Sequence, residues 1–204
     1  MKTVSCMKID EKILNSFEAE IKEYRAKEFI FREGDQPLYY FQIKQGTVKL
    51  NHYDENGKEF IHNILSDEQS FGDSLLFLKK NYPMNAIALT PCTILRLPRS
   101  SFFRILKESP ELNCEMNSCF SQQLYFNLLM MQSLASTNPT ARITGLMNYL
   151  KSFDHAEDLF SFHVQLTRQQ IADLTGLRVE TVIRTLKKMA ENNTVKFQDK
   201  RIFY

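Results

Sequence analysis

The sequence predicts an α+β protein in three parts: a β-rich first half of the barrel or sandwich kind, one long helix, and a C-terminal helix-turn-helix closed by a small hairpin. Three observations carry this prediction. Short runs that alternate apolar and polar residues, separated by Gly-bearing turns, fill much of residues 29–97. About 25 residues after Pro110 contain neither Gly nor Pro, until Asn138-Pro139. Residues 167–190 then combine a helix-start signal, a central Gly176 and two short apolar faces. The composition agrees: 204 residues, 43% hydrophobic and 25% charged, with 16 Phe and 8 Tyr to fill a core.

The elements follow in order. Ile9, Ile13, Phe17 and Ile21 recur at every fourth position, which predicts a helix over 9–24. The run 29–31 enters a turn at Arg32-Glu33-Gly34-Asp35, and 39–43 leads to Gln45-Gly46. Residues 47–53 alternate and end at Asp54-Glu55-Asn56-Gly57, where Asn-Gly tolerates the positive φ of a tight hairpin. Strands at 60–65, 86–89 and 93–97 complete the set.

The long helix begins near Pro110 and stops at Asn138-Pro139, because proline lacks a donor and disfavours helix in the residue before it. Leu112, Met116, Cys119, Phe126 and Met130 form a heptad seam with Gln123 in the gap, and Phe120, Leu124, Leu128 and Met131 form a second stripe. A helix apolar on two faces needs two partners: its own β-rich domain and, most simply, the same helix of a second subunit. A homodimer is therefore expected, with the seam Leu112, Met116, Cys119, Phe126 and Met130 assigned to it. The chain divides at 1–108, 109–137 and 138–204.

In the last part, Arg142, Ile143, Leu146, Met147 and Leu150 make an amphipathic helix. Thr167 with Gln170 three residues on is a capping box. Ile171 and Leu174 face inward, Ala172 leaves room for a crossing helix, and Gly176 supplies the left-handed turn. The next helix turns Val182, Leu186 and Met189 inward and Glu180, Ile183, Arg184 and Lys187 outward, each set at helical spacing. A helix of this kind fits the major groove of duplex DNA and reads base edges from its first turns. Arg184 can donate two bonds to guanine, Glu180 can accept from cytosine, and Ile183 can touch a thymine methyl. Phosphate contacts are expected from Thr167, Arg168, Arg178, Thr181 and Lys187. Runs at 195–197 and 201–204 flank a tight turn and form the closing hairpin.

Charge supports double-stranded DNA as the partner. Residues 167–204 carry eight Lys and Arg against four Asp and Glu, on a body whose first 136 residues are near neutral. Cys6, Cys92, Cys114 and Cys119 include no C-x-x-C, so no metal site and no disulfide framework is expected. No apolar run approaches the roughly 20 residues of a membrane helix. The start of the chain lacks the apolar segment of a secretory signal, so a cytoplasmic protein with no membrane partner is expected. No Ser-His-Asp, paired-carboxylate or phosphate-loop pattern stands out, so an enzyme is not expected.

With these residues in view, the chain is similar to the Crp/Fnr family of bacterial transcription regulators over nearly its whole length. Leu166 to Met189 is the most specific segment, and Val179-Glu180-Thr181-Val182-Ile183-Arg184 resembles the Fnr type of recognition helix more than the cyclic-AMP-responsive type. Phe31-Arg32-Glu33-Gly34-Asp35, Gly46 and Phe71-Gly72-Asp73 match the family's turns. The resemblance implies a double-stranded, jelly-roll-like β-roll of the cyclic-nucleotide-binding kind, a dimerisation helix, a winged helix-turn-helix, and RNA polymerase as a partner. It places a candidate effector pocket at Gly72, Asp73, Met84 and Asn85. Family members that hold cyclic AMP use an arginine and a hydroxyl where Met84 and Asn85 stand here. A buried phosphate without a cation is costly, so cyclic AMP is disfavoured. An iron–sulfur cluster needs several N-terminal cysteines and only Cys6 lies there. Haem is disfavoured too: His52 and His62 flank the Asn-Gly turn as exposed hairpin residues, and His155 and His163 belong to the DNA-binding part. The alternative reading is a sensor module for a cyclic nucleotide or another small ligand.

Overall fold

The computed structural model describes residues 7–153 and 158–204; Cys6 and His155 lie outside the described residues. Helix α1 (Glu11–Ser16) precedes strands β1 (Glu20–Tyr24), β2 (Phe29–Phe31), β3 (Tyr39–Gln45), β4 (Val48–Tyr53), β5 (Glu59–Leu65) and β6 (Ser70–Phe71). Then come α2 (Asp73–Leu78), β7 (Asn85–Ala88), β8 (Cys92–Pro98), α3 (Arg99–Glu108) and the long α4 (Pro110–Ala135). The remainder is α5 (Pro139–Lys151), β9 (His163–Val164), α6 (Arg168–Thr175), α7 (Val179–Glu191), β10 (Lys196–Gln198) and β11 (Arg201–Phe203). The chain forms two compact units that divide inside α4, one running to residue 123 and the other from 124 onward, with the short stretch 59–61 grouped in the second.

In the first unit two four-stranded sheets, ordered β1-β8-β3-β6 and β2-β7-β4-β5, make a roll. Strand alternation splits its apolar residues between two cores. Phe41, Ile43 and Ile94 belong to a core with Phe31, Phe71 and Tyr82, whereas Tyr40, Leu95 and Leu97 belong to a second with Leu14, Phe102 and Ile105 from α1 and α3. The first core is a ladder of rings: Phe31 stacks on Tyr82 at 3.7 Å, Phe41 on Phe71 at 5.2 Å, and Phe31 leans on both Phe41 and Phe71. On β4 and β5, His52 Nδ1 faces His62 Nε2 at 2.9 Å, which makes the hairpin histidines a pair.

Two expectations are corrected here. Residues 9–24 are not one helix. Glu18 adopts a positive φ of 68°, and from Glu20 the chain pairs antiparallel with β8. Pairing to a sheet partner outweighs the helical spacing, and Ile21 ends 53% exposed on the edge strand. The apolar seam of α4 is also reassigned. Met116 and Cys119 are buried in the core beside α3, Leu112 packs on it, and Phe126 stacks on Tyr149 of α5. Those side chains are committed to their own chain. The stripe left open is the second, with Leu124 62%, Leu128 50% and Met131 66% exposed, Tyr125 beside it.

The second unit packs α7 against α5 and α6, beside a three-stranded sheet ordered β10-β11-β9. Asn138 caps α5 by accepting from the Thr140 amide at 2.9 Å, with Pro139 at the helix start.

One glycine tests the roll directly. Gly46 has φ +113°, and a Cβ there would lie 2.6 Å from both Cys92 Sγ and the Pro91 carbonyl oxygen. Gly57, also at positive φ, has open space around it. Gly46→Ala is expected to destabilise by about 3 kcal/mol and Gly57→Ala by about 1 kcal/mol, read from urea unfolding midpoints.

Candidate nucleic-acid interface

The helix-turn-helix is assembled from backbone signals that the sequence carries openly. Thr167 Oγ1 accepts from the Gln170 amide at 3.1 Å, and Gln170 Oε1 accepts from the Thr167 amide at 2.9 Å, closing the capping box of α6. Gly176 ends that helix at φ 65°, where its amide and that of Leu177 both return to the Ala172 carbonyl. Ile171 and Ala172 are fully buried, and Thr175 Oγ1 donates back to the Ile171 carbonyl at 2.6 Å.

Helix α7 is divided cleanly between two environments. Val182, Thr185, Leu186 and Met189 are buried, while Glu180, Ile183, Arg184, Lys187 and Lys188 are exposed. Ile183 is 43% exposed between them, an apolar side chain available to an external surface. Glu180 and Arg184 stand one turn apart, and among the described residues neither is tied up in a hydrogen bond or ion pair. Both are thus available to an external ligand. Arg178 at the helix N-cap is exposed and Thr181 half-buried. Arg168, expected above to face phosphate, instead turns its guanidinium to the terminal hairpin, where Nη1 donates to the Lys200 carbonyl at 3.0 Å.

Sequence reasoning missed Arg142. From α5 its Nη1 donates to the Thr175 carbonyl at 3.2 Å and its Nε to the Ser136 carbonyl at 2.7 Å, so it fastens the turn between α6 and α7 to the segment before α5. Nothing local marks this arginine, because both acceptors are backbone atoms of other segments.

The polar groups of the candidate effector position are bonded within the chain. Gly72 is left-handed and opens α2. The Asp73 carboxyl is buried, accepts from Ser70 Oγ at 3.0 Å and from the Ser74 amide at 2.8 Å, and burial pushes its pKa up. Asn85 is committed at both ends of its amide, accepting from the Glu33 amide at 3.0 Å and donating to the Asn51 carbonyl at 3.3 Å. Met84 packs against the ring ladder. Tyr82, not singled out from the sequence, lies in this region with its hydroxyl 3.1 Å from where a Gly72 Cβ would be. That hydroxyl is buried without a hydrogen-bond partner among the described residues, and burial pushes its pKa far up. No group of three or more potential metal ligands occurs among the described residues. No described helix is long and apolar enough to cross a membrane.

Residues 21–109 match the cyclic nucleotide-binding domain family, and residues 141–203 match the Crp-like helix-turn-helix domain family. The cAMP-activated global transcriptional regulator CRP of Pasteurella multocida (strain Pm70) is 26% identical over 184 residues, 89% of this chain and 88% of that one. The global nitrogen regulator of Synechococcus elongatus is 26% identical over 187 residues, 90% and 84% of the two chains. Among solved structures, a CooA mutant from Carboxydothermus hydrogenoformans has a TM-score of 0.79 at 18% identity, covering 95% of this chain and 85% of that one. The c-di-GMP-responsive regulator CLP of Xanthomonas campestris has a TM-score of 0.75 at 18% identity, covering 95% and 98%. These two likenesses concern the fold. With both its β-roll and its helix-turn-helix matched in the order the fold displays, the chain belongs to the Crp/Fnr family of DNA-binding transcription regulators.

Proposed function

We propose that the chain binds a near-palindromic DNA site as a homodimer, reads bases with Glu180, Ile183 and Arg184, and does so without control by cyclic AMP. The observation that carries the base-reading part is the outer face of α7: an exposed Ile183 between an acid and an arginine that the chain leaves unpaired. A carboxylate on a basic, phosphate-facing surface is unfavourable unless it accepts from a base. Thr167, Arg178, Thr181 and Lys187 would supply phosphate contacts around it. Residues 1–108 would act as the sensor domain, 109–137 as the dimerisation helix and 138–204 as the DNA-binding domain. RNA polymerase is the expected protein partner, by the chain's family.

Dimerisation is supported by the open stripe Leu124, Leu128 and Met131 on α4. Two copies joined there would present two recognition helices to successive major grooves about 34 Å apart. Independence from cyclic AMP is supported by the committed amide of Asn85 and by Met84 in place of a cation.

Three outcomes are expected. Arg184→Ala should cost about 1–3 kcal/mol on the cognate duplex and little on random DNA, whereas Lys187→Ala should weaken all duplexes alike and lower the salt slope by about one. An equal loss across sequences for both variants, measured by fluorescence anisotropy, would remove Arg184 from base reading. Leu128→Glu should shift the sedimenting species from twice the chain mass toward one, and a wild-type monomer that still binds tightly would sink the dimer. Cyclic AMP at millimolar concentration should leave the melting temperature unchanged; a ligand at 100 times its Kd would stabilise by about 2.7 kcal/mol, so a clear upward shift would show that the pocket opens.

A further inference from the structure

The sheet β2-β7-β4-β5 brings two histidines together in a chain whose cysteine pattern announces no metal. His52 of β4 and His62 of β5 meet edge to edge: Nδ1 of the first faces Nε2 of the second at 2.9 Å, with the rings tilted by 33° and their centroids 5.0 Å apart. Strand alternation puts His52 on the face of β4 that carries Val48, buried in the ring-lined core, and Leu50, which packs on that core. The pair therefore stands at the margin of the core. His52 is half-buried and His62 exposed, so one ring is anchored and the other is open to solvent.

The separation of the two nitrogens carries chemical information. A divalent ion such as zinc binds an imidazole nitrogen at about 2.0–2.1 Å. Two such nitrogens held at a right angle to one ion are then about 2.9 Å apart, and two held tetrahedrally about 3.3 Å. The pair matches the first geometry as it stands. Right-angle nitrogen sites suit copper(II) and nickel(II), whereas zinc favours the tetrahedron. Charge agrees. The Glu33 amide donates to Asn85 Oδ1 at 3.0 Å, and Asn85 Nδ2 donates to the Asn51 carbonyl at 3.3 Å, which fastens the backbone of Glu33 beside the strand of His52. Its carboxylate is near enough to pull the pKa of His62 upward, against the larger lowering by burial, and favours a cation at the same place.

We propose that His52 and His62 form a two-imidazole site for a divalent ion of the copper(II) and nickel(II) class, with water in the remaining positions and Glu33 supplying negative charge nearby. The hydrogen held between the rings moves to the far nitrogen of its own ring, so each imidazole stays neutral and turns a lone pair to the ion. The bound ion ties β4 to β5 through two metal–nitrogen bonds in place of one hydrogen bond. The site is independent of the DNA-binding reading, because its residues lie within the stretch 21–109 and need no duplex.

The untagged full-length protein, stripped with chelator, is titrated with nickel(II) and with zinc(II) by calorimetry, and its copper(II) complex is read by electron paramagnetic resonance. Nickel is expected to bind one ion per chain, more tightly than zinc, and to raise the melting temperature until chelator is added back. The copper spectrum is expected to show hyperfine coupling to two imidazole nitrogens. His52→Gln and His62→Gln are each expected to weaken nickel binding by more than about tenfold, since a single ring loses the advantage of linkage. Glu33→Gln, which removes charge but no ligand, is expected to weaken it by only about twofold. A wild type that binds no nickel, binding that survives both histidine substitutions, or a spectrum with fewer than two nitrogens overturns the site. Zinc binding tighter than nickel overturns the right-angle geometry. The wild-type spectrum reads the ligand count without any substitution, so a variant that fails to fold leaves the test intact.

Discussion

The inward packing of Val182, Thr185, Leu186 and Met189 is the constraint on which the DNA-facing half depends. Four buried positions on a 13-residue helix leave the rotation of α7 no freedom, so its other face is determined by default. What precedes α7 must then bring it to that orientation. Gly176 turns the chain without a side-chain clash, the Thr167–Gln170 box fixes where α6 begins, and Arg142 ties the carbonyl end of α6 to another segment. Each of these acts on backbone atoms. The outward side chains Glu180, Ile183, Arg184 and Lys187 are therefore free of structural duty, which is the condition for a surface that can vary without refolding.

The roll shows the opposite economy. Its interior is packed with aromatic rings, and its polar groups are satisfied within the chain at Asn85 and Asp73. One exception is the hydroxyl of Tyr82, buried without a hydrogen-bond partner among the described residues. An unsatisfied buried hydroxyl typically costs about 1–3 kcal/mol. That group lies within the stretch 21–109 matched to the cyclic nucleotide-binding domain, beside Gly72, the left-handed turn that opens α2.

Much of this was legible in the sequence because it is local. Alternation and Asn-Gly identified most strands, the proline pair bounded α4, and the capping box with Gly176 marked the helix-turn-helix. The elements that escaped are those decided at long range. The segment from Glu20 became a strand because β8 offered an antiparallel edge, which no spacing of Ile9, Ile13, Phe17 and Ile21 reports. On α4 the sequence offered two apolar stripes and gave no rule for choosing between them. The choice belongs to α3 and α5: Met116, Cys119 and Phe126 of the first stripe are buried with Phe102 or Tyr149, and of the second stripe Phe120 packs on the same core while Leu124, Leu128 and Met131 stay exposed. The contacts of Arg168, expected from the sequence to meet phosphate, and of Arg142, read as part of an amphipathic helix, escaped because their acceptors, the carbonyls of Lys200, Thr175 and Ser136, are backbone atoms with no sequence signature.

The histidine pair on β4 and β5 has a consequence in proton terms. Two imidazoles facing nitrogen to nitrogen at 2.9 Å hold one proton between them comfortably and repel when each carries its own. Burial foremost, then the charge of His52, lowers the pKa of His62, while Glu33 pulls weakly the other way. The unfolded chain therefore takes up protons more readily than the folded one below about pH 6.5, the ordinary histidine value. Stability from this contact is complete above that pH and is lost as the pH falls toward the depressed value. Mild acid is thus expected to weaken the His52–His62 contact between β4 and β5.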